Sequence, residues 1–334
     1  MEKIASLGLL EKLLAQSPQS QSVIIADSNT LEHCLPNLIY SVDSLSEAQV
    51  IELEPGESSK DFDTYRSIVD TLMEQGIDRN STLIALGGGV VCDMANFVGG
   101  TFKRGIRTFL VPTTTLAMVD AAIGGKCGLN VGNVKNQIGL FRTPELVCID
   151  TDFLETLPAR QIANGAVEML KTAFISSKEL ALEMMQMTPL EIGSNPKLIK
   201  QCIKAKQDIV RKDKFDRAER KLLNFGHTIG HAVESMALEE GMDIMHGEAM
   251  ASGMYYAANL SRGIDEDCRK RLQDYLSANY EIAKIANDTQ KLFHYMDNDK
   301  KNRNGSYNFV LLKDFGQGIY DQPVAKEAVI QAVS

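Results

Sequence analysis

The chain has 334 residues, 44% hydrophobic and 24% charged, enough for two domains with sizeable cores. A net charge of −9, from 35 basic and 44 acidic residues, argues against a general nucleic-acid binder but leaves room for a local basic pocket. No apolar run approaches the ~18 residues that span a bilayer, and Met1-Glu2-Lys3-Ile4 lacks the pattern of a secretion signal. A cytoplasmic protein, bound neither to membrane nor to nucleic acid, is expected. None of Cys34, Cys92, Cys127, Cys148, Cys202 and Cys268 forms a Cys-x-x-Cys pair, so free thiols are expected.

In chain order, Ser22–Ala26 reads as a short buried strand, with Asp27-Ser28-Asn29-Thr30 ending it and capping a helix. A second apolar segment, Gln49–Leu53, runs into the turn Glu54-Pro55-Gly56-Glu57-Ser58-Ser59-Lys60. Phe62–Gln75 has helical period. Leu83–Leu86 is a strand entering Gly87-Gly88-Gly89, and Val90–Phe97 is helical. Thr108–Val111 is a strand ending in Pro112-Thr113-Thr114-Thr115. Strands alternating with helices predict a mainly parallel sheet of the nucleotide-binding type. Near residue 150 the character changes. Helical period is read over Ala159–Ile175, Pro196–Asp213, Leu222–Ala237, Gly247–Arg262 and Glu266–Ala278, with Asn308–Leu312 as a late strand or hairpin arm. An α/β domain over 1–150 and an α-helical domain over 151–334 are expected.

Several stretches carry chemistry. Gly87-Gly88-Gly89 at a strand end is either a tight turn or a close approach for a pyrophosphate. Asp27 suits a ribose hydroxyl or a helix cap, and the threonines after Pro112 share that ambiguity. Gly124-Gly125-Lys126-Cys127-Gly128 and Val134-Lys135-Asn136 suggest backbone folded closely around something, or a loop with solvated lysines. Glu168 and Lys171, three apart, share a helix face. His227 and His231, four apart, do the same, and His246 follows in His246-Gly247-Glu248. Together with Glu168 these histidines offer nitrogen and oxygen donors suited to zinc. Lys206, Arg220 and Asn224 precede them, and Asp299-Lys300-Lys301 comes late in the chain. Cationic residues beside each candidate ligand suit a small anion bearing phosphate and carboxylate.

Taken in order, these motifs resemble the 3-dehydroquinate synthase family of the sugar-phosphate cyclase superfamily. The resemblance rests on Pro55-Gly56-Glu57 with Lys60, Gly87-Gly88-Gly89 with Asp93, Arg104-Gly105, Val111–Thr114, Gly124-Gly125-Lys126, Lys135-Asn136, Phe153–Pro158, Glu168 with Lys171, Leu223–His231 and His246-Gly247-Glu248. It departs from the usual family pattern at Cys92, Asn96, Ala121-Ala122-Ile123, Cys127, Gly132-Asn133-Val134 and Lys214.

The resemblance implies a Rossmann-like domain that binds NAD, a helical domain that holds metal, and an active site between them. It implies zinc, or cobalt in its place, on Glu168, His227 and His246, with His231 a catalytic or substrate-contacting residue instead of a ligand. NAD would meet Asp27, Glu57, Lys60, Gly88, Gly89, Asp93, Thr113, Thr114, Lys126, Lys135 and Thr156. Substrate would meet Asp120, Lys126, Asn136, Lys171, Lys206, Arg220, Asn224 and Lys300, with Arg104 reaching the phosphate across a homodimer interface. The implied reaction converts 3-deoxy-D-arabino-heptulosonate 7-phosphate, a sugar phosphate, to 3-dehydroquinate and phosphate. Transient oxidation at C5 acidifies the C6 proton, phosphate leaves, C5 is reduced again, the ring opens and an aldol step closes the carbocycle. Three rivals share parts of this pattern: cyclases making 2-deoxy-scyllo-inosose or 2-epi-5-epi-valiolone, a metal-dependent alcohol dehydrogenase, and a non-enzymic metal-binding module. Lys206, Arg220, Asn224 and Lys300 together favour the first reading over the other cyclases, net NADH production would mark a dehydrogenase, and the dense cationic residues argue against a non-enzymic module.

Overall fold

Val23–Ala26 and the whole of Thr82–Gly87 are buried. Such unbroken apolar strands belong to a parallel sheet covered on both faces by helices. The computed structural model describes residues 2–334 apart from 18–19, 133, 286–287 and 298–305. It divides into two compact units, Met1–Gln161 and Ile162–Ser334. Among the described residues, no helix is long and apolar enough to cross a membrane.

The first unit holds the strands β1 (Ile4–Ala5), β2 (Ser22–Asp27), β3 (Gln49–Leu53), β4 (Thr82–Gly87), β5 (Arg107–Pro112), β6 (Lys126–Val131), β7 (Val134–Phe141) and β8 (Leu146–Cys148). Six of them form one sheet in the order β1-β8-β5-β4-β2-β3, every pairing parallel. Its helices are α1 (Leu7–Ala15), α2 (Ser28–His33), α3 (Leu35–Ser41), α4 (Phe62–Glu74) and α5 (Gly89–Thr101). From β2 the chain builds outward to β3, then returns to the other side of β2 for β4 and β5. Strand order therefore reverses between β2 and β4, the switch point where open α/β sheets bind ligands beyond their strand ends.

β6 and β7 form a separate antiparallel hairpin, which the sequence reading left as glycine-rich loops. Gly128 and Gly139 face each other across its ladder, and a Cβ on either would press on backbone of the facing strand. Gly125 has φ +65° and accepts a hydrogen bond from the Arg142 N–H at 2.7 Å. The close approach suggested by these glycines is thus the hairpin folding onto its own return strand. Arg142 pins that strand beneath α5, donating to the Asn96 carbonyl, the Asn96 side chain, Thr108 Oγ1 and the Ile106 carbonyl. Asn96, one of the departures from the family pattern, returns a bond to the Arg142 carbonyl at 3.0 Å.

The second unit is helical: α6 (Ala159–Ser176, entering from the first unit), α7 (Lys178–Met184), α8 (Pro189–Gly193), α9 (Pro196–Lys212), α10 (His227–Glu239), α11 (His246–Leu260), α12 (Glu266–Asn279), α13 (Thr289–Asp297) and α14 (Lys326–Val333). One antiparallel hairpin, β9 (Ser306–Asp314) with β10 (Gln317–Ala325), joins them; its first arm contains the expected late strand. One expectation fails. The helix read over Leu222–Ala237 is broken, because Glu219–Asn224 is a 3-10 turn and Gly226 takes φ 81° before α10 begins at His227. A Cβ at Gly226 would strike Met254 of α11, so glycine is needed both for the left-handed backbone and for the contact.

α10 and α11 cross on small residues. At Gly230 a Cβ would lie 2.6 Å from Met250 Cε, and at Gly253 it would lie 2.7 Å from the Gly230 nitrogen and closer still to the Gly226 carbonyl oxygen. Helix propensity alone favours alanine over glycine by about 1 kcal/mol. Here overpacking should reverse the sign: Gly253→Ala is expected to lower stability by ~1–3 kcal/mol, read from urea unfolding. A stabilised variant would show that the two helices are not in this close contact.

Candidate active site

Glu168, on α6, is 1% exposed. Its Oε1 faces His227 Nε2 at 3.9 Å and His246 Nε2 at 3.5 Å, while its Oε2 contacts the Lys171 ammonium. The carboxylate is divided: one oxygen toward two imidazoles, the other toward a buried cation. A zinc ion about 2.0–2.1 Å from each of its donors would hold tetrahedral donors roughly 3.3 Å apart. The donor atoms of Glu168, His227 and His246 all lie within 4.8 Å of one another, so the three residues fit one such ion.

The histidines are held for this. His227 Nδ1 lies 3.2 Å from the Phe225 carbonyl, and donation there leaves Nε2 as the acceptor nitrogen. His246 opens α11, and the next residue explains the His-Gly-Glu motif. Gly247 N–H donates to Asn164 Oδ1 at 2.5 Å, and a Cβ on Gly247 would collide with the Asn164 backbone. Glu248 accepts from Met245 N–H at 2.9 Å and caps the helix. Asn164 lies one turn before Glu168 on α6, so one contact fixes the helix that carries Glu168 against the first turn of α11. The sequence reading missed Asn164, because nothing local marks it. It also missed Glu234, although its spacing of seven from His227 places it on the histidine face of α10.

His246 is pulled two ways. Burial disfavours its charged form, but the Glu168 and Glu234 carboxylates outweigh that and raise its pKa to about 9. His231 is more exposed than His227, with the two ring centroids 5.0 Å apart. With Glu234 and His246 it makes a second group of donors within 4.8 Å.

Lys206 on α9 and Arg220 are buried, and α9 packs on the 3-10 turn that carries Arg220. Arg220 and Asn224 both lie on this turn, separated from the helix of His227 by the break at Gly226. Arg220 Nη1 donates to the Lys214 carbonyl, and Asn224 Nδ2 to the Lys221 carbonyl. Asp213 organises this turn. Burial pushes its carboxyl up, but backbone N–H groups including those of Ala218 and Arg220 hold it below the usual range. Lys300 lies outside the described residues, as do Asp299 and Lys301.

In the first unit, the candidate nucleotide residues gather at the switch point. Asp27 is the N-cap of α2 and accepts from Thr30 N–H, while Thr30 Oγ1 donates to the Leu86 carbonyl of β4. Gly88 is the N-cap of α5, with Gly89 its first residue. A Cβ on Gly88 would sit 3.4 Å from Thr114 Cγ2. Thr113 N–H donates to the Gly87 carbonyl, and Thr114 Oγ1 accepts from Ala117 N–H at the π-helical turn that carries Asp120. Lys60 is buried, paired with Asp93 at 2.5 Å and donating to Asn136 Oδ1 at 2.7 Å. Asn130 extends the network to Glu57 and to the Asn136 N–H, and Asn136 itself is held at φ 53°. Glu57, Lys60, Asp93 and Asn136 thus form one network, with Lys135 adjacent in the chain.

Three candidates stand apart. Lys126 is exposed at the opposite end of the β6–β7 ladder, beside Phe141. Thr156 is exposed in the turn after a 3-10 segment. Arg104 is exposed just before β5, at the strand ends opposite to Gly88 and Thr113, with φ 68°.

With this geometry in place, comparisons identify the kind of chain. Family profiles described as 3-dehydroquinate synthase N-terminal and C-terminal match residues 50–164 and 165–302. A 3-dehydroquinate synthase of Parabacteroides distasonis is 37% identical over 97% of this chain and 93% of its own length. The chain belongs to the 3-dehydroquinate synthase family. One of Clostridium perfringens strain 13 is 39% identical over 83% of this chain and 81% of its own. Among solved structures, a 2-deoxy-scyllo-inosose synthase complexed with carbaglucose-6-phosphate, NAD+ and Co2+ has TM-score 0.83 and 25% identity, covering 99% of this chain and 95% of its own. A 2-epi-5-epi-valiolone synthase from Streptomyces hygroscopicus, with NAD+ and Zn2+ bound, shares the fold at TM-score 0.83 and 22% identity, covering all of this chain and 96% of its own.

The purified protein is expected to take up one equivalent of Zn2+ or Co2+. His227→Ala should weaken uptake at least ~100-fold by chelator competition, the loss expected if His227 is a ligand and not a neighbour of one. Undiminished uptake would remove His227 from the ligand set.

Proposed function

We propose that the chain is a 3-dehydroquinate synthase, a phosphate-eliminating lyase acting on 3-deoxy-D-arabino-heptulosonate 7-phosphate with NAD and a divalent metal, zinc or cobalt. The observation that carries this is Glu168, buried, with one oxygen on two histidine Nε2 atoms at 3.5 and 3.9 Å and the other on Lys171. Family membership supplies the reaction. The identity of 37–39% to named 3-dehydroquinate synthases, against 25% and 22% to the two cyclases of other sugar phosphates, favours this substrate over theirs.

Bound to Glu168, His227 and His246, a divalent ion would act as a Lewis acid on substrate hydroxyls. NAD, bound at the switch point by the Gly88–Gly89 turn and the Lys60–Asp93 network, would supply reversible hydride acceptance. The remaining work falls to side chains. His231, more exposed than His227 and adjacent to it, is assigned to move the proton of the C5 hydroxyl, since imidazole changes charge near neutrality. Lys171, Lys206 and Arg220 are buried cations in a chain of net charge −9, and are assigned with Asn224 to the carboxylate and hydroxyls of the substrate. Fixing one conformer matters because elimination and ring closure both demand defined geometry. Lys126, Asn136, Asp120 and Lys300 are assigned to further substrate contacts, and Thr156 to the nucleotide. The six free cysteines suit a reducing cytoplasm.

The direct test incubates the protein with the heptulosonate phosphate, catalytic NAD+ and Zn2+. Phosphate and dehydroquinate should appear in equal amounts with no net NADH. Stoichiometric NADH from a simple alcohol would instead favour a dehydrogenase.

Arg104 is assigned to the phosphate of the partner subunit's site in a homodimer, because it precedes β5 and so lies at the strand ends opposite to Gly88 and Thr113. Arg104→Ala and His227→Ala should each be nearly inactive alone. Co-expressed, they should regain activity, with about half of the sites in each mixed dimer complete. A mixture as inactive as its parents would place Arg104 in its own subunit's site or outside the chemistry.

A further inference from the structure

We propose that Glu234 is a positioning residue of the metal centre, one that sets His246 so that its Nε2, and not its Nδ1, meets the ion. This rests on the metal reading given above. Glu234 Oε1 faces His246 Nδ1 at 3.6 Å, while His246 Nε2 faces Glu168 Oε1 at 3.5 Å. The ring is spanned by two carboxylates, one at each nitrogen. Glu234 is 6% exposed, so its charge is held inside the protein and not offered to solvent. His227, His231 and Glu234 follow one another at spacings of four and three, along one face of α10. The first of them supplies an imidazole toward Glu168, and the last supplies a carboxylate toward the back of the other imidazole.

The two histidines are treated alike by different means. The Phe225 carbonyl lies 3.2 Å from His227 Nδ1, and Glu234 lies against His246 Nδ1. Each acceptor favours the tautomer with the proton on Nδ1 and a lone pair on Nε2. Glu234 also adds negative charge behind the ring, which raises the basicity of the ligating nitrogen. A backbone carbonyl gives orientation with only a partial charge.

His231, Glu234 and His246 are also close enough to hold an ion of their own. That reading requires His246 to give both nitrogens to metals at once, whereas a neutral imidazole has one lone-pair nitrogen. One ion, with Glu234 behind its ligand, uses each nitrogen once.

The test uses the full-length protein as wild type, Glu234→Ala, Glu234→Gln and Glu234→Asp. Metal stoichiometry and Zn2+ affinity are measured by chelator competition, the visible spectrum of the Co2+ forms is recorded, and melting of the metal-free proteins is followed. Wild type should bind one equivalent. Glu234→Ala should bind 10–100-fold more weakly, the usual cost of losing such a partner, with an altered Co2+ spectrum. Glu234→Gln, whose side-chain oxygen can still face Nδ1–H, should recover most of the affinity and the wild-type spectrum. Should Glu234→Ala fail to fold, Glu234→Asp carries the test: it keeps the charge, withdraws the oxygen, and should lose about tenfold. Wild-type affinity in Ala or Asp overturns the proposal. So does a wild type binding two equivalents with Glu234→Ala binding one, which makes Glu234 a ligand. A variant whose only change is a lower melting temperature of the metal-free protein also overturns it. Wild type that binds no metal defeats the metal reading itself, a result distinct from unaltered variants.

Discussion

The close crossing of α10 on α11 is the constraint on which the second unit depends. Gly226, Gly230 and Gly253 remove side chains where the two backbones meet, and Gly226 also turns the chain through a left-handed conformation. That turn starts α10 at His227, while α11 starts at His246. Each helix presents a histidine from its first position, and the crossing brings the two rings to 5.6 Å between centroids. α6 closes the group. Asn164 grips Gly247, and Glu168, one turn further on, faces both imidazoles. Packing between helices, and not a local loop, sets the donor distances. Sites on such rigid elements hold their geometry better than sites on loops.

The first unit solves a different problem. Its sheet gives a reversal of strand order, and the residues just past the strand ends are small or hydroxyl-bearing: Gly88, Thr113 and Thr114. Polarity there comes from elsewhere in the chain. Lys60 is buried between Asp93 on α5 and Asn136 on the hairpin, so an ammonium that is costly to bury is satisfied on two sides. Asn130 ties the same hairpin to Glu57. The hairpin is therefore fixed to the sheet by polar contacts at its tip and by Arg142 at its base.

What could be read in the sequence followed what is local. Ser22–Asp27, Gln49–Leu53, Thr82–Gly87 and Arg107–Pro112 announce themselves by apolar runs with turn residues after them, and the long helices by their period. The family was legible because Gly-His-Thr-Ile-Gly-His and His-Gly-Glu are contiguous. The β6–β7 hairpin was not, since β7 is almost wholly exposed and β6 buries three consecutive residues, so neither strand shows an alternating face. The helix start at Leu222 was misplaced because Lys221–Asn224 continues the helical pattern, and only contact with Met254 reveals why Gly226 must break it. Asn164 and Glu234 were invisible for the same reason. Their partners, Gly247 and His246, are distant in sequence. Asp27 kept its two readings: it is a helix cap, and it also stands at the switch point.

That both histidines occupy the first turn of a helix has a consequence for the charge of whatever binds between them. Each helix start carries roughly half a positive elementary charge from its unpaired N–H groups, so two starts together contribute about one. Glu168 and Glu234 supply two negative charges, and Lys171 returns one positive. With both imidazoles neutral, as holding an ion would require, the rest of the centre is thus close to electrically neutral. A divalent cation bound there would displace the His246 proton and leave the centre about two charges positive. Such a centre would hold an oxygen most tightly in its deprotonated form. The helix starts would thus add to the acidity of a bound hydroxyl through dipoles already aligned when it arrives.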